Sequence, residues 1–126
     1  MRLLVDSHVA LWWLDGNDAL GPTCRVDLER ADEVFFSAVT PWELGIKRSL
    51  GKLSFPDGLA EALQDSGFVG LAITVDHAVR ASSLPPHHRD PFDRMLVAQA
   101  QAEAVILVTA DRTLAPYDVQ LRDARA

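Results

Sequence analysis

Short apolar runs alternate with longer amphipathic stretches along the whole chain. Apolar runs of four or five residues bounded by polar or turn residues are typical of strands, and the amphipathic stretches are typical of helices. The predicted strands are residues 2–5, 34–37, 71–75, 105–109 and 119–121. The predicted helices are residues 8–14, 22–31, 40–50, 57–66, 76–83 and 92–104, with one further helical turn at 111–115.

The alternation of strands and helices predicts the fold class. Residues 105–109 form a continuous apolar run, which is typical of a strand buried on both faces of a parallel sheet. Right-handed crossovers then place helices on both faces. We therefore predict a three-layer α/β/α sandwich with a mainly parallel central sheet, formed by residues 1–126 as one domain.

The composition is typical of a globular domain that needs no disulfides. Hydrophobic residues make up 48% of the 126 positions, which is enough for a core without disulfides. The single cysteine, Cys24, excludes an internal disulfide and a cysteine-rich zinc site. We find no signal-peptide pattern and no apolar stretch long enough to span a membrane, and predict a cytoplasmic protein.

The net charge of −6 argues against broad electrostatic binding of nucleic acid. It does not exclude a nuclease in which bound cations meet the phosphates. Candidate residues for such a site follow two of the predicted strands. Asp6 comes directly after residues 2–5, and Asp111 lies two residues after 105–109. Because ligands bind at the carboxyl ends of parallel strands, both carboxylates lie at the edge where chemistry is expected.

Each acid also has a structural interpretation. Thr40 and Glu43 have the spacing of a capping box. Asp90 before Pro91 is typical of a helix N-cap, which puts Asp93 in the first turn. Asp6 and Asp111 could cap the short helices that follow them.

Convergence of these acids would instead indicate a cation site. Two carboxylates ~4 Å apart repel each other by roughly 4 kcal/mol at an effective dielectric constant of about 20. A cluster must therefore bind cations, attract basic partners or hold protons. Oxygen ligands favour hard cations such as Mg²⁺ or Mn²⁺. The residues alone leave the capping and metal interpretations both open.

Four segments carry a resemblance to a known family. They are LLVDSHVALWWL, FFSAVTPWELGIKRSLGKL, HRDPFDRMLVAQAQ and ILVTADRTL, and together they span nearly the whole chain. In this order and spacing they resemble the PIN-domain ribonucleases, and more closely the VapC-type toxins of type II toxin–antitoxin systems.

The resemblance implies a metal site, a reaction and partners. The matching catalytic, metal-binding acids are Asp6, Glu43, Asp93 and Asp111. Ser7 and Thr109 match polar neighbours of that site. The implied cofactor is Mg²⁺, which Mn²⁺ can replace. The implied reaction is hydrolysis of phosphodiester bonds in structured RNA (tRNA or rRNA) by metal-activated water, and the implied partners are a VapB-type antitoxin and a second copy in a homodimer.

The basic residues, histidines and tryptophans have predicted roles outside the set of acids. The basic residues predicted to contact RNA phosphates are Arg89, Arg94 and Arg112. Lys47, four residues after Glu43, is interpreted as its ion-pair partner. None of the four histidines has metal-motif spacing, and His87 and His88 are predicted to lie in an exposed loop. For the three tryptophans, core packing is the favoured interpretation.

Two other functions remain open from the residues. A phosphoryl-handling α/β domain, such as a phosphatase or phosphoacceptor module, is supported by the Asp after the first strand. It lacks a second Asp after Asp6, a Lys after the final strand and a Gly-rich phosphate loop. The third candidate is a non-catalytic binding module whose acids only cap helices. Metal-dependent cleavage of RNA would distinguish a nuclease from these two alternatives.

Overall fold

A five-stranded, fully parallel sheet forms the centre of the computed structural model, which describes residues 1–126. The strands are β1 (Arg2–Val5), β2 (Glu33–Ser37), β3 (Val69–Leu71), β4 (Ile106–Thr109) and β5 (Leu121–Asp123). Their order across the sheet is β3-β2-β1-β4-β5, and every neighbouring pair is parallel.

Six α-helices connect the strands and cover both faces of the sheet. They are α1 (Ser7–Asp15), α2 (Pro22–Arg30), α3 (Val39–Ser49), α4 (Leu59–Asp65), α5 (Val75–Ser83) and α6 (Pro91–Glu103). A 3₁₀ turn, Arg112–Leu114, lies between β4 and β5. None of the helices combines the length and apolar character needed to cross a lipid bilayer. The predicted three-layer α/β/α fold is confirmed, and the helix ends lie within two residues of the predicted ones.

The alternation of side chains along the central strand divides the core into two layers. Leu3 and Val5 of β1 pack into one cluster, with residues of α1, α2 and α4, while Leu4 packs into the other, with residues of α6. All three side chains are fully buried. Burial of each stabilises the fold by about 2 kcal/mol. The uninterrupted apolar run of β1 therefore reflects a strand covered on both faces.

The third strand is displaced from its predicted position. Residues 71–75 were predicted as a strand, but β3 is Val69–Leu71. Thr74 instead caps α5, because its side chain accepts a hydrogen bond from the backbone N–H of His77 while Nδ1 of His77 accepts one from the N–H of Thr74. This capping box takes the residues after Leu71 out of the sheet.

The last strand is displaced in the opposite direction. It was predicted at residues 119–121, and β5 is Leu121–Asp123. Pairing with β4 sets its position: Leu107 lies opposite Leu121, and the backbone N–H of Leu107 donates to the carbonyl of Gln120 at 2.9 Å. The strand lies at the edge of the sheet.

The start of α3 differs from the predicted capping box. Thr40 lies inside the helix and is fully buried, and it does not cap. The first free N–H, of Val39, donates instead to the side-chain oxygen of Ser37 at 3.0 Å. Because only Ala38 separates β2 from α3, the helix begins earlier than the Thr40–Glu43 spacing indicates. This frees both side chains for other contacts.

The strand order creates one switch point. From β1 the chain proceeds to β2 and β3 on one side of the sheet, whereas β4 and β5 lie on the other side. A crevice forms at the carboxyl edge where two strands diverge in this way. Here that edge lies at the ends of β1 and β4, which are followed by Asp6 and by Ala110 and Asp111.

Candidate active site

A cleft of about 330 Å³ opens at the carboxyl ends of β1 and β4. All four acids predicted from the sequence line it: Asp6, Glu43, Asp93 and Asp111. Asp90 is a fifth acid in the same lining. They come from four separate places in the chain, namely the end of β1, helix α3, the first turns of α6 and the loop after β4.

Asp6 both caps a helix and lines the cleft. Its Oδ1 accepts a hydrogen bond from the backbone N–H of Val9 at 2.8 Å, which makes it the N-cap of α1. Its Oδ2 accepts one from the hydroxyl of Thr109 at 2.5 Å. Burial raises the pKa of Asp6, although the hydrogen bonds from Thr109 and Val9 oppose that rise. Capping and site membership are therefore compatible in this residue.

Glu43 is buried but has a donor at each carboxylate oxygen. The hydroxyl of Ser7 donates to Oε1 at 2.8 Å, and the ammonium of Lys47 donates to Oε2 at 2.8 Å. The predicted Glu43–Lys47 ion pair is thus confirmed. The bond to Glu43 raises the pKa of Lys47 above its ordinary value, although partial burial opposes this. Ser7 also lies 3.1 Å from the hydroxyl of Thr40.

The ionised carboxylate of Asp93 is unfavourable in the metal-free cleft. Burial raises its pKa from 3.8 to about 7, and the neighbouring carboxylates of Asp90 and Glu43 add to the effect. Its side chain accepts no close hydrogen bond; Nε2 of His88 lies 3.5 Å from Oδ2. A carboxylate in this position gains stability from a proton or from a cation.

Asp111 caps the 3₁₀ turn after β4. Its Oδ1 accepts from the backbone N–H and the hydroxyl of Thr113 at 2.9 and 2.6 Å, and its Oδ2 lies 3.2 Å from Nε2 of His88. Burial raises the pKa of Asp111, but the hydrogen bonds from Thr113 and His88 outweigh it, so the pKa lies below its ordinary value. Asp111 is therefore ionised at neutral pH.

His88 is a site residue that the sequence interpretation missed. Its ring lies between Asp93 and Asp111, and one ligand atom from each of the three residues falls within 4.8 Å of the others. Nδ1 accepts a hydrogen bond from the backbone N–H of Asp90 at 3.1 Å, so in the neutral ring the proton is on Nε2. Nε2 therefore donates to Asp111. A contact across 23 residues leaves no spacing signal in the sequence.

Comparison with known proteins identifies the family. The model of the PIN domain matches residues 3–119. The chain belongs to the PIN-domain family. It is 34% identical to Ribonuclease VapC22 of Mycobacterium tuberculosis, in an alignment that covers 89% of this chain and 88% of that protein. The VapC-type resemblance predicted from the sequence is confirmed.

Solved structures share the PIN-domain fold over nearly the whole chain. VapBC2 from Rickettsia felis, bound to a DNA fragment from its promoter, matches with a TM-score of 0.72 at 13% identity and covers 97% of this chain and 98% of that one. A toxin–antitoxin complex from Klebsiella pneumoniae matches with a TM-score of 0.70 at 17% identity and 97% coverage of each chain. These matches support the fold, and family membership favours a nuclease over a phosphoryl-handling domain.

The capping interpretation accounts for only some of the acids in this PIN domain. Asp6, Asp90 and Asp111 accept hydrogen bonds from backbone N–H groups at the start of a helix or turn. Glu43 and Asp93 do not cap anything. Glu43 is paired with Ser7 and Lys47, but the partly buried carboxylate of Asp93 has neither a capping role nor a close donor, so Asp93 argues for a cation site rather than for a set of caps.

The three arginines predicted to contact phosphates differ in placement. Arg94 does not line the cleft: its guanidinium donates at 2.9 to 3.0 Å to three backbone carbonyls, those of Ala81, Leu84 and Pro85. It therefore joins the end of α5 to α6, and the predicted phosphate contact is not supported there. Arg89 and Arg112 are exposed. Arg112 lines a groove that adjoins the cleft at Asp111.

The tryptophans also differ from one another. Trp13 packs against Phe68, with ring centroids 5.2 Å apart, as expected for a core residue. Trp42 is 60% exposed, so the expected core packing is wrong for it. Its ring makes an edge contact with that of Phe92. Trp12 is half-buried and lines the cleft.

The cleft has the donor chemistry of a divalent cation site. Its five acids supply carboxylate oxygens, which are the ligands that Mg²⁺ and Mn²⁺ prefer. Burial and the neighbouring carboxylates raise the pKa of Asp93, so its ionised form would gain stability from a nearby cation. Lys47 forms an ion pair with Glu43, and His88 donates a hydrogen bond to Asp111. The residues present therefore fit a hard divalent cation.

Proposed function

We propose that this PIN-domain protein is a metal-dependent endoribonuclease and the toxin of a VapBC-type toxin–antitoxin pair. It hydrolyses phosphodiester bonds in structured RNA, namely tRNA or rRNA. The observation that carries the proposal is the convergence of Asp6, Glu43, Asp93 and Asp111 on one cleft at the switch point of the sheet. The likeness to Ribonuclease VapC22 supports the choice of RNA as substrate.

The proposed cofactor is Mg²⁺, which Mn²⁺ can replace. Asp93 and Asp111 would hold it, with Asp6 and Glu43 completing the acidic site. A bound divalent cation supplies charge neutralisation at the scissile phosphate and lowers the pKa of the attacking water. Asp93 suits this role because its ionised form has the least compensation from neighbouring donors.

The neighbouring side chains orient the acids. Thr109 holds Asp6, Ser7 and Lys47 hold Glu43, and His88 holds Asp111. Residues in this position fix the rotamers of the acids before the substrate arrives, and their loss typically costs 10- to 100-fold in metal affinity or activity. Arg89 and Arg112 remain candidates for contact with RNA phosphates, whereas Arg94 is occupied by backbone carbonyls.

The proposed partners are a VapB-type antitoxin and a second copy of the chain. Toxin–antitoxin complexes among the structures that share the fold support the antitoxin. Exposed apolar side chains on β3 and α5, namely Val69, Val75 and Val79, offer a surface for a homodimer. We further propose that residues 1–126 act as one nuclease domain in the cytoplasm.

Cleavage of a labelled tRNA or rRNA fragment tests the proposal. The wild type should cut it in Mg²⁺ or Mn²⁺, leave 5′-phosphate ends, and stop in EDTA. Asp93→Asn should lower the rate by about a hundredfold or more, since metal stabilisation is worth several kcal/mol. Asp118→Asn, the same change at an exposed residue, serves as the control. Undiminished cleavage in EDTA, or by Asp93→Asn, would contradict the mechanism.

A further inference from the structure

A loop of residues 84–90 joins α5 to α6 and carries His88 and Asp90, both beside the acids of the cleft. Within the loop the backbone forms one hydrogen bond to itself, from the N–H of His87 to the carbonyl of Pro85 at 2.9 Å. A segment with so few backbone contacts of its own needs side chains from other elements to hold one conformation. The position of His88 therefore depends on the side chains that bind this loop.

Arg94, at the start of α6, binds the loop by its carbonyl groups. Its Nη1 donates to the carbonyls of Pro85 at 3.0 Å and of His88 at 3.4 Å, and its Nη2 donates to that of Leu84 at 3.0 Å. A guanidinium presents five N–H donors in a fixed fork, so it can bind several carbonyls at once. Arg94 therefore ties the loop to α6.

Tyr117 binds the same loop from a different element. The residue lies between β5 and the 3₁₀ turn that Asp111 caps, and it is 4% exposed. Its hydroxyl oxygen accepts hydrogen bonds from the backbone N–H of His88 at 2.9 Å and from Nη1 of Arg94 at 3.3 Å. A hydroxyl oxygen has two lone pairs, so both bonds can form together. One buried oxygen thus joins the loop, α6 and the segment after β4.

These contacts fix His88 at three points. Tyr117 binds its backbone N–H, Arg94 binds its carbonyl, and the N–H of Asp90 donates to Nδ1 of its ring at 3.1 Å. With the backbone and the ring both held, Nε2 lies 3.2 Å from Oδ2 of Asp111. Tyr117 does not line the cleft itself, so its contact with the acids is indirect.

We propose that Tyr117 is a positioning residue of the active site: its hydroxyl, together with Arg94, holds His88 so that the histidine ring fixes the carboxylate of Asp111. This inference rests on the proposed nuclease function, since it gives the hydroxyl a part in cleavage as well as in folding. Side chains that orient the ligands of a metal affect metal binding or rate without touching the substrate. A hydroxyl that only stabilised the fold would leave the ring of His88 and the rate unchanged.

Proton NMR of the metal-free protein tests the positioning. In the wild type, the Nε2–H of His88 should give a resonance that its bond to Asp111 protects from exchange with water, and His88→Ala assigns that resonance. Tyr117→Phe removes only the hydroxyl and should weaken or abolish the resonance, because the loop no longer holds the ring. Arg94→Lys keeps the charge but loses the fork that binds the carbonyls, and should have the same effect.

A matched variant controls for the loss of a hydroxyl that accepts a backbone N–H. Thr74→Val removes such a hydroxyl, bonded to the N–H of His77 at 3.1 Å at the start of α5 and outside the cleft. It should leave the resonance of His88 and the rate of RNA cleavage unchanged. A resonance that persists undiminished in Tyr117→Phe overturns the proposal.

Cleavage of the labelled RNA in Mg²⁺ tests the functional part through a double-mutant cycle. Tyr117→Phe and His88→Ala should each lower the rate by about tenfold, as is typical for the loss of a side chain that orients a metal ligand. The double variant should be no slower than His88→Ala, because the hydroxyl acts through that ring. Additive losses of rate would refute this route.

Urea unfolding in EDTA should give a different pattern from the rates. Tyr117→Phe should lower the free energy of unfolding equally in the wild type and in His88→Ala, since the backbone N–H that the hydroxyl binds is present in both. A loss of stability that vanishes in His88→Ala would show that the hydroxyl does not hold the backbone of the loop, and would overturn the proposal.

The outcomes distinguish this inference from the proposed function. If the wild type cleaves RNA but Tyr117→Phe is as fast as Thr74→Val, Tyr117 has only a structural role and the nuclease stands. If the wild type does not cleave RNA, the nuclease function is wrong, and the resonance of the Nε2–H still decides whether Tyr117 positions His88.

Discussion

The two halves of the acidic cleft differ in the hydrogen-bond donors that offset the negative charge of their carboxylates. In the half built from the end of β1 and from α3, every carboxylate oxygen of Asp6 and Glu43 has a fixed donor within 2.8 Å. In the half built from α6 and the loop after β4, Asp93 has His88 at 3.5 Å and a pKa raised to about 7. Asp111 shares the same His88.

The difference indicates that the two halves of the cleft stabilise their carboxylates by different means. A buried carboxylate is stabilised either by hydrogen-bond donors, which belong to the fold, or by a proton or cation, which exchanges with solvent. The first half has the donors and forms a fixed scaffold. These donors oppose the rise that burial causes in the pKa of Asp6. The second half lacks such donors around Asp93, so the ionised form of Asp93 depends on a cation for its stability.

Metal binding should change the stability of the protein more than any other test of this difference between the halves. At a concentration about 100 times its dissociation constant, Mn²⁺ should raise the free energy of unfolding of the wild type by about 2.7 kcal/mol at pH 8. The rise should shrink at pH 6, because the cation must then displace a proton from Asp93. Thermal melts with and without Mn²⁺ measure it. Asp118→Asn should behave like the wild type, and an equal rise in Asp93→Asn would place the metal elsewhere.

The metal-free protein should show the titration of Asp93 directly. Because its pKa is raised from 3.8 to about 7 in the folded state, the protonated carboxyl contributes stability that is fully present below about pH 4 and is lost as pH rises through about 7. One proton limits this slope to about 1.4 kcal/mol per pH unit. Urea unfolding in EDTA from pH 5 to 8 measures it. The difference between the wild type and Asp93→Asn should grow with pH; a constant difference would refute the assignment.

In the scaffold half, loss of a single hydroxyl should destabilise the fold. Thr109→Val leaves Oδ2 of Asp6 and the N–H of Asp111 without their partner and should cost about 1–3 kcal/mol. Chemical denaturation compares it with Thr113→Val, which removes an exposed hydroxyl and should cost less. Similar losses in the two variants would show that burial of the scaffold contacts adds nothing.

Removal of His88, the histidine of the second half, should have the smallest effect. His88→Gln weakens the bond to Asp111 and removes the acceptor for the N–H of Asp90, and should cost about 0.5–1.5 kcal/mol in EDTA. Saturating Mn²⁺ should reduce that cost, because the cation replaces the donor at Asp111. A loss that is unaffected by Mn²⁺ would assign His88 a purely structural role.

Features of the fold that depend on local chemistry could be predicted from the sequence. The apolar run of β1 followed by Asp6, and Asp90 before Pro91, give a strand end and two helix caps that the structure retains. Predictions were less accurate at β3 and β5, which are three residues long. Short edge strands are positioned by pairing with a neighbour, such as Leu121 opposite Leu107, and not by their own pattern.

The sequence by itself determined which acids follow strands and begin helices, because capping and burial act over a few residues. Only the tertiary structure decided what those acids do together. The tertiary structure places His88 between Asp93 and Asp111. It directs the guanidinium of Arg94 to backbone carbonyls, such as that of Ala81. It also places Arg125, near the end of the chain, over the ring of Trp12 near its start. Such contacts depend on where the helices cross the sheet. The local pattern of the chain therefore predicts which acids line the cleft better than it predicts which side chains contact them.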